Sequence, residues 1–209
     1  MSQKGFTLVE LAIVLVIIGV ILGGVIKGQE LVTNARMKQL YRNFQQVEFA
    51  YFSYIDRYND KPGDDARAVT GAAAGDPSDT SNNDGDEDNK IEGTWNASPT
   101  NTAEPARLWA HLRDAGFLSD GLTGNALPQH AFGGNIGVVT GGLEIADDVV
   151  CFEGIEGAIA GAFDSQFDDG VSNTGNIRGR SADTTTTAAA EAAYATDETA
   201  TMICISLGN

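Results

Sequence analysis

Two cysteines, two histidines and five prolines are spread over 209 residues, and only 13 side chains are basic against 29 acidic. Each shortage excludes something. Cys151 and Cys204 stand in no CxxC pair and in no Cys/His cluster, which argues against a thiolate metal site. Basic residues are scarcest in residues 56–209, which hold 26 of the acidic side chains and 8 of the basic ones, a net charge of -18. Nucleic acid binding needs clustered Lys and Arg to release counterions, and this part of the chain repels it. An acidic surface suits solubility, divalent cations or a basic partner. No GxSxG, HExxH or phosphate-binding glycine loop occurs, and His111 and His130 are the only candidate bases near neutral pH, so no catalytic constellation is legible.

Proline is also missing where a helix would be broken, since none precedes Pro62. From Phe6 to Ile26 every residue is apolar, glycine or threonine except Glu10. These 21 residues make about 30 Å of helix, enough to cross a hydrocarbon core. A secretory signal peptide has a shorter apolar core and a small-residue cleavage site after it, which this chain lacks. Lys4 precedes the run, which places the N-terminus in the cytoplasm and the rest across the membrane. Helical spacing continues through Leu40, Phe44, Val47, Tyr51, Tyr54 or Ile55, and Tyr58, with Gln, Arg, Lys and Asn opposite, until Pro62-Gly63. Gly19, Gly23, Gly24 and Gly28 weaken the helix in between, or permit close helix packing in a membrane.

Lys4-Gly5-Phe6-Thr7-Leu8-Val9-Glu10 resembles the class III signal of type IV pilins and type II secretion pseudopilins: a short basic leader ending in Gly, then Phe, an apolar run, and Glu as the fifth residue after the cut. The resemblance implies cleavage between Gly5 and Phe6 by a prepilin peptidase that also methylates the new amine. It further implies that Glu10 pairs with the Phe6 amine of a neighbouring subunit as helices bundle into a filament, since a charge in lipid needs a partner. Many members of that family carry a proline in the membrane helix, and this chain departs from them there.

Beyond the helix, residues 71–95 are rich in Gly, Asp, Asn and Ser and lack periodicity, as functional or disordered loops do. Asp84, Asp86 and Asp88 alternate like the first oxygen ligands of a calcium loop. Asn89 stands where that loop needs Gly and Trp95 where it needs Glu, leaving Glu92 as the fourth carboxylate. The alternative is a solvated acidic loop. Residues 105–118 read as a short helix with Leu108, Trp109, Leu112 and Ala115 inward, and His111 solvated on the other face beside Arg107 and Asp114. Runs at 136–140 and 148–152 read as antiparallel strands, 156–166 as a helix, 167–180 as a turn-rich loop, 181–199 as an exposed loop with Thr184 to Thr187 open to O-glycosylation, and 199–207 as a final strand. In an oxidising compartment Cys151 and Cys204 pair as a disulfide tying a strand to the C-terminal strand; two buried free thiols are the alternative.

These readings converge on an α+β chain: a long N-terminal helix, half for the membrane and half amphipathic, packed against a small antiparallel sheet with long acidic loops. The expected organisation is a leader at 1–5, an assembly helix at 6–58 and a head at 59–209. The resemblance implies a non-enzymatic filament subunit whose partners are other copies and pilins, the prepilin peptidase, an inner-membrane assembly platform and, before assembly, the bilayer. The head then lies in the periplasm or at the cell surface, with Ca2+ as the candidate cofactor. The rival readings are a pseudopilin of a secretion system and an anchored calcium-binding module that never polymerises.

Overall fold

The computed structural model describes residues 7–65, 85–97, 103–181, 190–191, 193–196 and 200–208. Helix α1 (Leu8–Tyr58) runs 51 residues, roughly 75 Å at 1.5 Å per residue. Thr7 caps its start, and Asn59 ends it in the left-handed region at φ 56°, donating its N–H to the Ile55 carbonyl. Asparagine tolerates that conformation better than other non-glycine residues, so the helix stops before Pro62.

Among the described residues the first half of α1 packs against nothing: Leu8 is 85 % and Val20 72 % exposed, and the segment is long and apolar enough to cross a membrane. From Met37 onward one face is buried, through Leu40, Phe44, Val47, Ala50, Tyr51 and Tyr54. This is the stripe expected from the spacing, with Ile55 and Tyr58 at its partly buried margin.

That face lies on a four-stranded antiparallel sheet of order β1-β2-β4-β3. Its strands are β1 (Ile136–Thr140), β2 (Asp148–Glu156), β3 (Ile177–Ser181) and β4 (Ala200–Ser206). Both faces of the sheet are buried. Val138, Val150, Phe152, Ile203 and Ile205 join α1 in the main core. Val139, Val149, Cys151, Met202 and Cys204 alternate onto a second core under Trp95, Leu143 and Ile145. Cys151 and Cys204 are direct partners across β2 and β4 and form the expected disulfide, on this second face. Gly137 sits against Trp95, where a Cβ would fall 2.1 Å from its carbonyl oxygen.

Helices α2 (Glu104–Asp114) and α3 (Gly157–Phe167) complete the main core. Leu108, Trp109 and Leu112 face inward as expected. The opposite face of α2 corrects the sequence reading, because His111 and Arg107 are 1 % and 2 % exposed. The turn after α1 covers His111: the Gly63 N–H donates to His111 Nδ1 at 3.0 Å, and the imidazole stacks on Tyr54. His130 is buried too, its Nε2 at 2.8 Å from the Glu153 carbonyl, and burial lowers its pKa.

A second correction concerns 167–180, read as loop throughout. Its last residues form β3, an edge strand without apolar alternation that β4 holds by pairing. Tyr194 also departs from the expected exposed loop. Tyr194 donates to Asp164 at 2.7 Å and its ring lies over Gly179. Thr184 to Thr187 lie outside the described residues.

Candidate functional site

The N-terminal end of α1 carries the first candidate. Glu10 is the third residue of the helix, and its Oε2 accepts the Thr7 N–H and the Thr7 hydroxyl, both at 2.8 Å, while the Glu10 N–H donates to the Thr7 hydroxyl at 3.3 Å. This reciprocal capping box turns the carboxylate back toward the start of the helix. The only carboxylate of the apolar run is thereby held beside Thr7, one residue from Phe6. Gly5 and Phe6 lie outside the described residues.

The second candidate is acidic. Asp64, Asp86 and Glu104 bring carboxylate oxygens within 4.8 Å of one another, a spacing that can hold a metal ion. Three separate segments meet there. Asp64 is fully buried in the turn after α1, and accepts the Glu87 and Asn89 N–H groups at 2.9 and 2.8 Å. Glu104 is the first residue of α2 and accepts the Glu92 N–H at 2.7 Å. Gly85 lets the loop approach, since a Cβ there would meet the Asp64 carbonyl oxygen at 2.3 Å. Burial, with Asp64, Asp86 and Asp88 nearby, pushes the Glu104 pKa up to about 7, and burial raises Asp64 as well.

Of the carboxylates expected in a calcium loop, only Asp86 belongs to this cluster. Asp88 and Glu92 turn instead to Lys90 Nζ, at 2.8 and 3.8 Å, and Asp84 lies outside the described residues. Asp64 and Glu104 escaped the sequence reading because each lies about 20 residues from Asp86 in the chain. The available signals were the acidic pair after Pro62-Gly63 and an acid directly before the proline of a helix's first turn.

A second acidic group, Asp164, Asp168 and Asp169, also has metal-ligating spacing. Its oxygens staple their own turn: Asp168 accepts from Asn176 and Ile177, Asp169 from Val171 and Thr174, and Asp164 from Gly170 and Tyr194.

A third polar centre joins α1 to the sheet. Asp148 Oδ2 accepts from Tyr51 at 2.6 Å and pairs with Lys61 at 2.7 Å, and its Oδ1 accepts from Thr140. Lys61 also donates to the Asn89 carbonyl at 2.7 Å, so the same network reaches the acidic loop.

No curated protein and no solved structure gives a significant match to this chain. Residues 1–26 do match the prokaryotic N-terminal methylation motif, which is the class III signal of type IV pilins, on a helix that continues without a break into the packed core.

Proposed function

We propose that this chain is a prepilin-like structural subunit, cut between Gly5 and Phe6 by a prepilin peptidase, methylated on the Phe6 amine and polymerised through α1. The observation that carries the reading is the methylation motif at the head of one uninterrupted helix whose first half is exposed and apolar and whose second half anchors the core. Once cut, Phe6 presents a cation at the membrane. Glu10 is the acid available to neutralise it in a neighbouring copy, exchanging its own capping bonds for a charge-assisted one. Intact mass of native protein tests this. The expected species lacks residues 1–5, carries one added methyl and is two hydrogens short for the disulfide; protein still beginning at Met1 would refute the proposal. Recovery in sheared surface filaments makes it a pilin. Confinement to the membrane, with lost protein secretion on deletion, makes it a pseudopilin.

The acidic cluster supports a second element of the reading, a calcium ion held by Asp64, Asp86 and Glu104. Hard oxygen ligands suit calcium, and a cation would relieve three converging carboxylates of which two are buried. A melting temperature identical with calcium and with chelator would remove the ion from the account.

A further inference from the structure

His130 is held at both ring nitrogens by groups that fix its charge. Nε2 lies 2.8 Å from the Glu153 carbonyl, which can only accept, and the Phe132 N–H, which can only donate, reaches Nδ1 at 3.3 Å. Nε2 therefore carries the hydrogen and Nδ1 the lone pair, so the neutral imidazole fits and the imidazolium does not. A proton added at Nδ1 would face the Phe132 N–H in place of an acceptor. The residue is 5 % exposed and its ring stands edge-on to Phe152, and such burial also opposes the charged form.

The same ring is the centre of a tight hairpin. Gln129 and Asn135 bridge its ends, the His130 N–H donates to the Gly134 carbonyl, and the Gly133 N–H donates to the His130 carbonyl. Glycine is needed at 134, where a Cβ would fall 2.0 Å from the Glu153 carbonyl oxygen and 2.6 Å from His130 Nε2. The hairpin thus lies directly on the bulge of β2 between Phe152 and Ile155. Near its tip Phe132 packs on the main core, with the Arg36 guanidinium over its ring at 6.0 Å from the centroid. Arg36 stands one residue before Met37, the first buried residue of α1. The hairpin therefore grips the helix where it enters the head.

Charge reaches the hairpin from β2 and from α1. The Glu153 carboxylate accepts from the Asn135 backbone and side chain at 3.2 and 2.5 Å and from Asn96 at 3.3 Å. Its negative charge favours the imidazolium, while Arg36 is a cation on the far side of Phe132. Burial outweighs Glu153 and holds the His130 pKa below its usual 6.5.

We propose that the 129–135 hairpin is an acid-released latch between the head and α1: protonation of His130 at Nδ1 breaks its hydrogen bond to Phe132 and lifts that ring from Arg36, freeing α1 to bend where it enters the head. The joint is stiff near neutral pH and loosened in acid. Below pH 6.5 the open hairpin binds more protons than the closed one, so the stability of the closed form is fully present above that pH and is lost as pH falls. The latch belongs to the single chain and needs no filament.

Amide hydrogen exchange of the full-length chain in micelles, at about pH 7.5 and 5 and corrected for the intrinsic pH dependence, tests it. The His130, Phe132 and Gly133 amides are expected to lose protection about tenfold at the lower pH, with a parallel loss at Arg36–Leu40, while the β2–β4 pairs keep theirs. In wild-type protein both losses should share the midpoint at which the His130 ring titrates by NMR. His130→Gln, whose carboxamide can donate to the Glu153 carbonyl without taking up a proton, should be equally protected at both pH values. Glu153→Gln removes the charge that favours the imidazolium and should move the midpoint to lower pH. His111 accepts the Gly63 N–H, so its protonation would register at residues 60–65 instead. Hairpin protection indifferent to pH, an equal acid loss in His130→Gln, a loss confined to residues 60–65, or an opened hairpin with α1 unchanged overturns the latch.

Discussion

Glu10 caps its own helix in the single chain, and the proposed assembly would require it to leave that role. The capping box contributes about 1 kcal/mol at most sites, whereas an unpartnered amine in lipid costs several times more, so the exchange favours pairing with a neighbour. Glu10→Lys is therefore expected to leave cleavage at Gly5 intact and to abolish filaments, read by mass spectrometry and electron microscopy. Normal filaments from that variant would end the pairing account. Glu104 makes a separate claim. Its pKa of about 7 lies above the usual 4.5, so between those values the folded state binds more protons than the unfolded state. Stability contributed by this group is present below about pH 4.5 and is lost as pH rises through 7. With chelator present, Glu104→Gln should raise stability at pH 7.5 by roughly 1–3 kcal/mol and flatten the dependence between pH 5 and 7.5. Calcium should reverse the order of the two proteins. Denaturant melts at the two pH values decide it.

Between elements, two connections hold α1 and the C-terminal strand to the rest. The Cys151–Cys204 bond closes a separation of 53 residues, and the chain-entropy account gives about 4 kcal/mol for a loop of that size. Replacing both cysteines with alanine should lower the unfolding free energy by about that amount without altering strand register, because both sulfurs sit in an apolar pocket beneath Trp95. The Asp148 network is more exacting. Asp148→Ala strands a mostly buried Lys61 and the Tyr51 hydroxyl, and removing one partner of such a pair costs about 3–5 kcal/mol. Tyr51→Phe removes one hydrogen bond and should cost about 1 kcal/mol. Equal losses from the two variants, in guanidinium titrations, would show that Asp148 does not hold Lys61. The sheet's edges are closed as well: Ile91 and Pro128 accept from β1, and on β3 the Gly179 carbonyl accepts the Glu191 N–H while its own N–H donates to Ser172. Growth by strand addition is thus blocked at these positions, and association is left to helices and surfaces.

At the scale of the whole molecule, the chain is two bodies on one helix. Core packing begins at Met37, and the membrane-length segment before it touches nothing among the described residues. A chain beginning at Gly28 is therefore expected to stay soluble without detergent, with the same near-ultraviolet dichroism and a melting temperature within a few degrees of the full chain in micelles. Aggregation of the truncated chain would mean that the first half of α1 supports the fold. The charge asymmetry belongs to this scale too: a -18 head is tied to a basic helix segment, so the molecule carries a strong charge dipole along its length.

Periodicity and composition were enough for the long helix, its buried stripe, strands β1, β2 and β4, and both short helices, because each is a local pattern of apolar spacing. The motif at residues 4–10 was legible for the same reason: its chemistry is contiguous. The remaining features depend on segments far apart in the chain. Strand β3 has no apolar alternation and exists because β4 offers it hydrogen bonds. His111 and Arg107 look like a solvated helix face, yet both are buried, His111 beneath the turn at 60–65. Four carboxylates close in sequence suggested one calcium loop, yet Lys90 draws two of them away while Asp64 and Glu104 converge on Asp86 from elsewhere. A sequence records which neighbours a residue has along the chain. Burial, charge pairing and ligand convergence depend on neighbours in space, and folding alone chose those.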